Sequence, residues 1–273
     1  MPTVSLNYFT KLIRHGRDKS ELAPASRTNN LFCAIGQYRD PSYGTPLDSR
    51  ADGKLVVFGL PKSGNVWLVA MLCQFLSEKA IDPVKNAKAR GIGMSHLPYS
   101  DEFSYRQDFL HAVYLMRDLR DVIVSYFHHT KREEFRKDVP NFHYDTIEEF
   151  YFQWYLPRVV PFHRIETHAV EYAERGVPIV RYEDLCADPV REFQRLILRL
   201  GFDCDDDRVR SVVDNHKLEV MKKEKHVFDV EISPEHFRKG GWGNFREEMP
   251  AIVRKDVEKR FADVFERWGY ELN

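Results

Sequence analysis

The residues best suited to chemistry gather in Gly59-Leu60-Pro61-Lys62-Ser63-Gly64-Asn65-Val66-Trp67. Backbone N–H groups at a helix start carry the positive end of its dipole, and Lys62 adds a mobile ammonium beside them. That pattern suits a phosphate cradle; an ordinary strand-to-helix turn punctuated by Pro and Gly is the plainer alternative. It is not a nucleotide triphosphatase loop, since G-x-x-x-x-G-K-[ST] needs Lys and a hydroxyl after the second glycine, where Asn65 and Val66 stand. No hydroxyl ligand for Mg²⁺ follows it.

A second set lies in Tyr114-Leu115-Met116-Arg117-Asp118-Leu119-Arg120-Asp121-Val122-Ile123-Val124-Ser125. Arg117 reads as the end of a strand, with Ser125 two helical turns on. A guanidinium and a hydroxyl so placed can grip a second phosphate, through charge-assisted hydrogen bonds of about 1.5–3 kcal/mol each. Two separate grips suggest a bisphosphate nucleotide. The alternative is that Arg117, Asp118, Arg120 and Asp121 only pair with one another on a solvated helix start.

The elements that must hold these residues alternate between strand and helix. Leu55-Val56-Val57-Phe58-Gly59-Leu60 is a continuous apolar run, the pattern of a strand buried on both faces of a parallel sheet. Val66, Val69, Ala70, Cys73, Leu76 and Ala80 then recur at helical spacing from Asn65 to about Lys79. His111 to Met116 reads as a strand, Asp118 to His128 as a helix and Val177 to Arg181 as a third strand. Thr146 to Glu174 is helical in pattern but holds Pro157 and Pro161, which predicts two helices or a kink. Pro189–Leu200, Asp206–Asp214 and Pro250–Trp268 read as further helices. The fold class is therefore α/β: one domain over 1–273, a central mainly parallel sheet flanked by helices, and a P-loop-like strand-loop-helix. Residues 1–53 form an irregular lead-in, and the ordered core begins at about 54.

Lys and Arg total 41 against 42 Asp and Glu, so no whole-molecule field draws the chain to nucleic acid or an acidic membrane. An anion site must be built locally. The four cysteines show no C-x-x-C pair and no metal spacing, which fits reduced thiols in a cytoplasmic protein. The start lacks the pattern of a secretory signal, and no apolar run is long enough to span a bilayer. Val4, Leu6, Tyr8, Phe9, Leu12 and Ile13 suit an amphipathic helix packed on the core rather than on a membrane.

Pro61-Lys62-Ser63-Gly64-x-x-Trp67 resembles the 5′-phosphosulfate loop of the sulfotransferases that use 3′-phosphoadenosine 5′-phosphosulfate (PAPS), and Arg117 with Ser125 resembles their 3′-phosphate clamp. Ser95-His96-Leu97-Pro98, Tyr182-Glu183-Asp184-Leu185 and Phe237-Arg238-Lys239-Gly240 follow in that family's order. The resemblance implies donor binding by Lys62, Ser63, Gly64, Asn65, Val66 and Trp67 at the 5′ end, with Trp67 and Tyr182 at the base. Arg117, Ser125, Arg238, Lys239 and Gly240 would hold the 3′-phosphate. His96 would be the general base and Lys62 would stabilise the leaving phosphate, with no metal. The acceptor would be a hydroxyl or amine of a small molecule or a glycan.

Several positions depart from the family. Asn65 and Val66 stand where many relatives have two threonines, Met94 where a Lys often precedes the histidine, and Lys217-Leu218 where a Ser-Phe pair holds the nucleotide. Gly240-Gly241-Trp242-Gly243-Asn244-Phe245 is short, and no counterpart of the animal dimer motif stands out, so oligomeric state stays open. Arg14–Asp52, Asn86–Phe109, His129–Asp145 and Lys222–Phe237 read as the irregular acceptor mouth, with Tyr99, Phe103, Tyr105, Phe142 and Tyr144 as its aromatics. A nucleotide-dependent kinase and a non-catalytic nucleotide-binding module are the competing functions.

Overall fold

The computed structural model describes residues 54–78, 91–99, 109–132, 135, 142–223, 226–227, 230–231 and 237–272. The lead-in, its amphipathic segment, Phe103 and Tyr105 lie outside the described residues. In chain order the elements run β1 (Lys54–Phe58), α1 (Asn65–Leu76), β2 (Gly91–Ser95), β3 (Phe109–Met116), α2 (Leu119–Thr130) and α3 (Ile147–Phe150). A π-helical stretch Tyr151–Val159 continues into α4 (Val160–His163), followed by α5 (His168–Ala173), β4 (Ile179–Arg181), α6 (Tyr182–Ala187), α7 (Pro189–Arg199) and α8 (Asp206–Asn215). The chain ends with α9 (Leu218–Met221), a β5–β6 hairpin (His226–Val227, Val230–Glu231), α10 (Phe245–Glu248), α11 (Ala251–Arg260) and α12 (Ala262–Trp268).

These elements fall into two compact units. One, which among the described residues runs from Lys54 to Arg117 and from Ala169 to Gly241, holds the sheet. Its four strands stand in the order β2-β1-β3-β4, all parallel, which bears out the α/β reading. Leu55, Val56, Val57 and Phe58 are all buried, as a strand covered on both faces requires. From α1, Leu68, Met71, Leu72 and Phe75 join Phe193, Leu196 and Ile197 of α7 and Val209, Val212 and Val213 of α8 in one core. Each large apolar side chain so buried contributes roughly 1.5–3 kcal/mol.

The strand order places the site. From β1 the chain moves to β2 on one side and then to β3 on the other, so a crevice opens at the carboxyl end of β1. Phe58 pairs with Ser95 and Tyr114, and Met116 with Arg181, so the four strands end at one edge. Each strand hands over one motif there: the Gly59 loop, His96, Arg117 and Tyr182.

The other unit comprises Asp118–His168 and the chain from Trp242 onward. Asp118 caps α2 by accepting from Arg120 N at 2.9 Å. Tyr126, Phe142, Phe150, Trp154 and Tyr155 form a buried aromatic cluster, with Tyr126 edge-on to Phe150, Trp154 and Tyr155 and Phe142 edge-on to Trp154. Thr146 and Glu149 close a capping box at the start of α3.

Thr146–Glu174 holds two helical runs, as expected, but neither proline parts them: the wider π turn of Tyr151–Val159 absorbs Pro157, and the break comes at Arg164, whose φ is 48°. Pro161 sits in α4, which runs on directly from the π-helical stretch, and does not break it. The C-terminal helix is two helices, parted at buried Phe261 with φ −109° and ψ 27°. Gly91–Ser95, read as part of an irregular mouth, is a sheet strand; its two glycines depress strand propensity, and pairing with β1 supplies what composition lacks.

Candidate active site

In the loop after β1, Ser63 N donates to Leu60 O at 3.1 Å, closing a tight turn. Gly64 is the α1 N-cap at φ 102°, with no capping side chain and no acidic residue in the first turn. Trp67 N and Leu68 N reach back to Gly64 O, so Asn65 and Val66 N–H are the ones that the helix itself cannot satisfy. A Cβ at Gly64 would lie 2.8 Å from the Tyr182 ring, so glycine is required for space as well as for its backbone. Lys62 also sits in the left-handed region at φ 74°, a conformation costing an L-residue about 1–2 kcal/mol. Strain of this kind collects where a loop must present its backbone to a ligand.

Arg117 ties this loop to two other motifs. Its Nη1 donates to Lys62 O at 3.1 Å and its Nη2 to Gly241 O at 3.2 Å, while the guanidinium lies 4.3 Å above the centroid of Tyr182. Its Nε is buried with no hydrogen-bond partner among the described residues. The partners it has are carbonyls and a ring, so its charge is not cancelled by a carboxylate among the described residues. Tyr182 meets Trp67 edge-on at 5.8 Å, and Trp67 Nε1 donates to His216 O at 2.9 Å. Val66 and Phe237 both pack against Ala70 and Met221, which draws the Phe237–Gly240 segment to α1. Gly240, at φ 70°, lies so close to Leu218 that a Cβ would come within 2.6 Å of it. Arg238 is half-buried and Lys239 exposed. Lys217 pairs with exposed Asp214 at 2.8 Å.

His96 follows β2 directly. Its Nδ1 lies 2.8 Å from Gly59 O and 3.1 Å from Asn65 Nδ2. A carbonyl only accepts, so Nδ1 carries the hydrogen and the lone pair is on Nε2. Burial, with help from the Lys62 charge, brings the imidazole pKa down from 6.5 to about 4; the Gly59 hydrogen bond opposes this. The ring is thus neutral at physiological pH. The adjoining loop is braced by Tyr172, whose hydroxyl donates to Leu97 O at 2.7 Å and whose ring packs against Phe58, Tyr99 and Tyr114.

The sheet unit therefore brings together Lys62, Ser63, Gly64, Asn65, Val66, Trp67, His96, Arg117, Tyr182 and Gly240. Ser125, half-buried on α2, belongs to the other unit. The charged neighbours of Arg117 also divide. Asp118 and Arg120 do pair, at 2.7 Å, but Asp121 accepts from Gly243 N at 2.6 Å and Phe245 N at 3.0 Å. Tyr172, a lone hydroxyl in a helix, was not legible as a site residue, and nothing in the loop that begins at Gly59 marked the Gly59 carbonyl as the partner of His96. Tyr99 and Phe142 are buried rather than lining an open mouth. Among the described residues no group of three His, Cys, Asp or Glu is placed to hold a metal ion, and no helix is long and apolar enough to cross a membrane.

Known proteins are similar to this chain in sequence and in fold. The sulfotransferase domain family matches residues 77–269, a span that includes His96, Arg117, Tyr182 and Gly240 and begins past Trp67. Human sulfotransferase 2A1 is 23% identical over 245 residues, covering 78% of this chain and 84% of its own. Cytosolic sulfotransferase 3 of Arabidopsis thaliana is 23% identical over 80% of this chain and 79% of its own. Mouse sulfotransferase SULT7A1, solved with PAP, superposes with a TM-score of 0.66 at 18% identity, covering 85% of this chain and 88% of that one. Retinol dehydratase with retinol and PAP follows at 0.59 and 19%, covering 87% and 86%. With a family match over most of its length, the chain belongs to the sulfotransferase domain family, the enzymes that move a sulfuryl group from PAPS to an acceptor.

Proposed function

We propose that the protein passes the sulfuryl group of PAPS to a hydroxyl or amine of a small molecule, with His96 as general base and Lys62 at the leaving phosphate. The observation that carries this reading is the 2.8 Å contact between His96 Nδ1 and Gly59 O, which puts the imidazole lone pair on Nε2 beside a phosphate loop. Nε2 takes the acceptor proton as the acceptor oxygen or nitrogen bonds to sulfur and the bond from sulfur to the bridging oxygen breaks. Negative charge then grows on the leaving phosphate, against the Lys62 ammonium and the N–H groups of Asn65 and Val66.

The residues present suit an anionic bisphosphate. The α1 start has no side-chain cap, and among the described residues Arg117 meets no carboxylate and its buried Nε has no hydrogen-bond partner. We read Ser125, Arg238 and Lys239 as further holders of the 3′-phosphate and Trp67 as a cover for the base. PAPS, when bound, supplies the sulfuryl group and leaves as adenosine 3′,5′-bisphosphate. The retinol and androsterone bound by retinol dehydratase are small alcohols, which supports a small-molecule acceptor over a glycan. A single catalytic domain over 1–273, working in the cytoplasm without a metal, completes the reading.

Calorimetric titration with adenosine 3′,5′-bisphosphate, ADP and ATP, each with and without Mg²⁺, tests the donor. Bisphosphate binding that ignores Mg²⁺ supports it, whereas a preference for ATP with Mg²⁺ replaces it with a kinase. His96→Ala tests the base: retention of wild-type transfer would remove that role, since general bases contribute about 10²–10⁴-fold.

A further inference from the structure

Asn65 occupies the first position of α1, where a solvated polar side chain would be ordinary, yet it is only 3% exposed. Its Nδ2 lies 3.1 Å from His96 Nδ1 and 3.4 Å from Gly59 O, and its Oδ1 is buried with no hydrogen-bond partner among the described residues. A Cβ at Gly59 would come within 2.8 Å of that Oδ1, so Gly59, Asn65 and His96 pack as one unit. Because Nδ1 already donates to Gly59 O, an amide N–H aimed at Nδ1 sets two donors against each other. Exchanging amide oxygen and nitrogen leaves every heavy atom in place; it gives up the long 3.4 Å donation from Nδ2 to Gly59 O and turns the shorter 3.1 Å contact with His96 into a hydrogen bond. The oxygen then accepts from Nδ1–H, sharing the hydrogen with the Gly59 carbonyl.

The geometry points to Asn65 as a positioning residue for His96: its carboxamide oxygen and the Gly59 carbonyl together hold the proton on Nδ1 and keep the lone pair on Nε2. This goes beyond a donor-binding role for Asn65, and it rests on the reading of His96 as the base. Neutral histidine in water favours the other tautomer, with hydrogen on Nε2, so the protein must supply the preference. Groups that orient a working imidazole are commonly worth about 10–100-fold in activity. With Gly59 still in place, the low end of that range applies.

The test is ¹⁵N NMR of His96 in the wild type, Asn65→Ala and the near-isosteric Asn65→Asp, with His96→Ala to assign the signal. In the wild type the hydrogen resides on Nδ1. Asn65→Ala is expected to leave hydrogen on Nδ1 as the major form, held by Gly59 O alone, to bring in a measurable minor form with hydrogen on Nε2, and to lower kcat for PAPS and 2-naphthol about 10-fold with the KM for PAPS within about 3-fold. Asn65→Asp is expected to restore hydrogen on Nδ1 and to raise the His96 pKa, because a carboxylate then faces the ring against the Lys62 ammonium. A wild type with hydrogen on Nε2 overturns the inference, as does Asn65→Ala with an unchanged tautomer. Unchanged tautomer with adenosine 3′,5′-bisphosphate bound at least 10-fold more weakly would assign Asn65 to the donor alone. The tautomer is read without turnover, so it stands whether or not His96→Ala abolishes transfer; that variant decides the base reading by itself.

Discussion

Arg117 and Arg120 stand three residues apart in one stretch of sequence, and the molecule uses them in opposite ways. Arg120, 2% exposed, is compensated on every side: Nε and Nη2 meet Asp118 at 3.0 and 2.7 Å, Nη1 meets Glu258 at 2.5 Å, and Nη2 also donates to Glu271 O. Phe245 and Phe265 lie 4.0 and 4.8 Å from its guanidinium. Burial alone pulls its pKa down, but the two carboxylates outweigh burial and hold it above the ordinary value. Arg117 meets carbonyls and a ring instead. One arginine is a lock whose charge is spent within the fold; the other is held by neutral groups, and in the proposed function its charge serves the donor's phosphate.

The largest expected effect breaks the lock. Arg120→Ala leaves Asp118 and Glu258 as buried carboxylates without their cation, and loses about 3–5 kcal/mol of stability by chemical denaturation. Bisphosphate affinity of the protein that remains folded should hold. If Arg120→Ala is as stable as the wild type, the network is a surface ornament and the contrast with Arg117 disappears.

Arg117→Ala should reverse that pattern, with the main loss in binding. Charge-assisted hydrogen bonds to a phosphate are worth about 1.5–3 kcal/mol, so the Kd for adenosine 3′,5′-bisphosphate should rise about 10- to 150-fold. Arg117→Lys should recover only part of this, since an ammonium cannot span the Lys62 and Gly241 carbonyls as a planar fork does. A rise below about 3-fold would make Arg117 a strut of the loop and nothing more.

Sequence alone separates these two arginines only in part. Types and spacing made the strand, loop and helix around Lys62 legible, because an apolar run, a Pro-Lys-Ser-Gly turn and helical periodicity are local features. The pairing of Arg120 was not, since its second carboxylate arrives from 138 residues away. Asp121 was equally opaque: its partners are the backbone N–H groups of Gly243 and Phe245, which carry no side-chain signature. β2 escaped because Gly91 and Gly93 look like loop residues until β1 pairs with them. The π turn around Pro157 and the break at Phe261 are likewise settled by packing rather than by local propensity.

A smaller effect sharpens what rigidity costs the ligand side. Lys62 holds φ 74°, a region open to glycine at little cost. Lys62→Gly should therefore exceed Lys62→Ala in stability by about 1 kcal/mol, while both lose the ammonium and transfer sulfuryl groups poorly. Equal melting temperatures would mean that the loop relaxes once the side chain is gone, and that no strain is stored there.

The gentlest perturbation is pH, and it sets two histidines of the sheet unit against each other. His96 and His111 both fall from 6.5 to about 4, each chiefly through burial. Between those values the unfolded chain binds more protons than the native one, so stability is lost as pH falls from about 6.5 toward 4 and levels off below. His96→Gln and His111→Gln should each flatten part of that slope. The two then part company when adenosine 3′,5′-bisphosphate is added. His111 pairs with Leu55 at the start of β1, whereas His96 follows Ser95, which pairs with Phe58 at its end. An anion at the carboxyl edge favours imidazolium there, so the NMR-titrated pKa of His96 should rise by about 1 unit or more while that of His111 stays put. Lys62→Ala should raise His96 in the free protein as well, by removing the positive charge that helps depress it. Equal movement of both histidines would mean that the bisphosphate acts through the fold at large, and the division between a compensated interior and a charged edge would no longer describe the sheet.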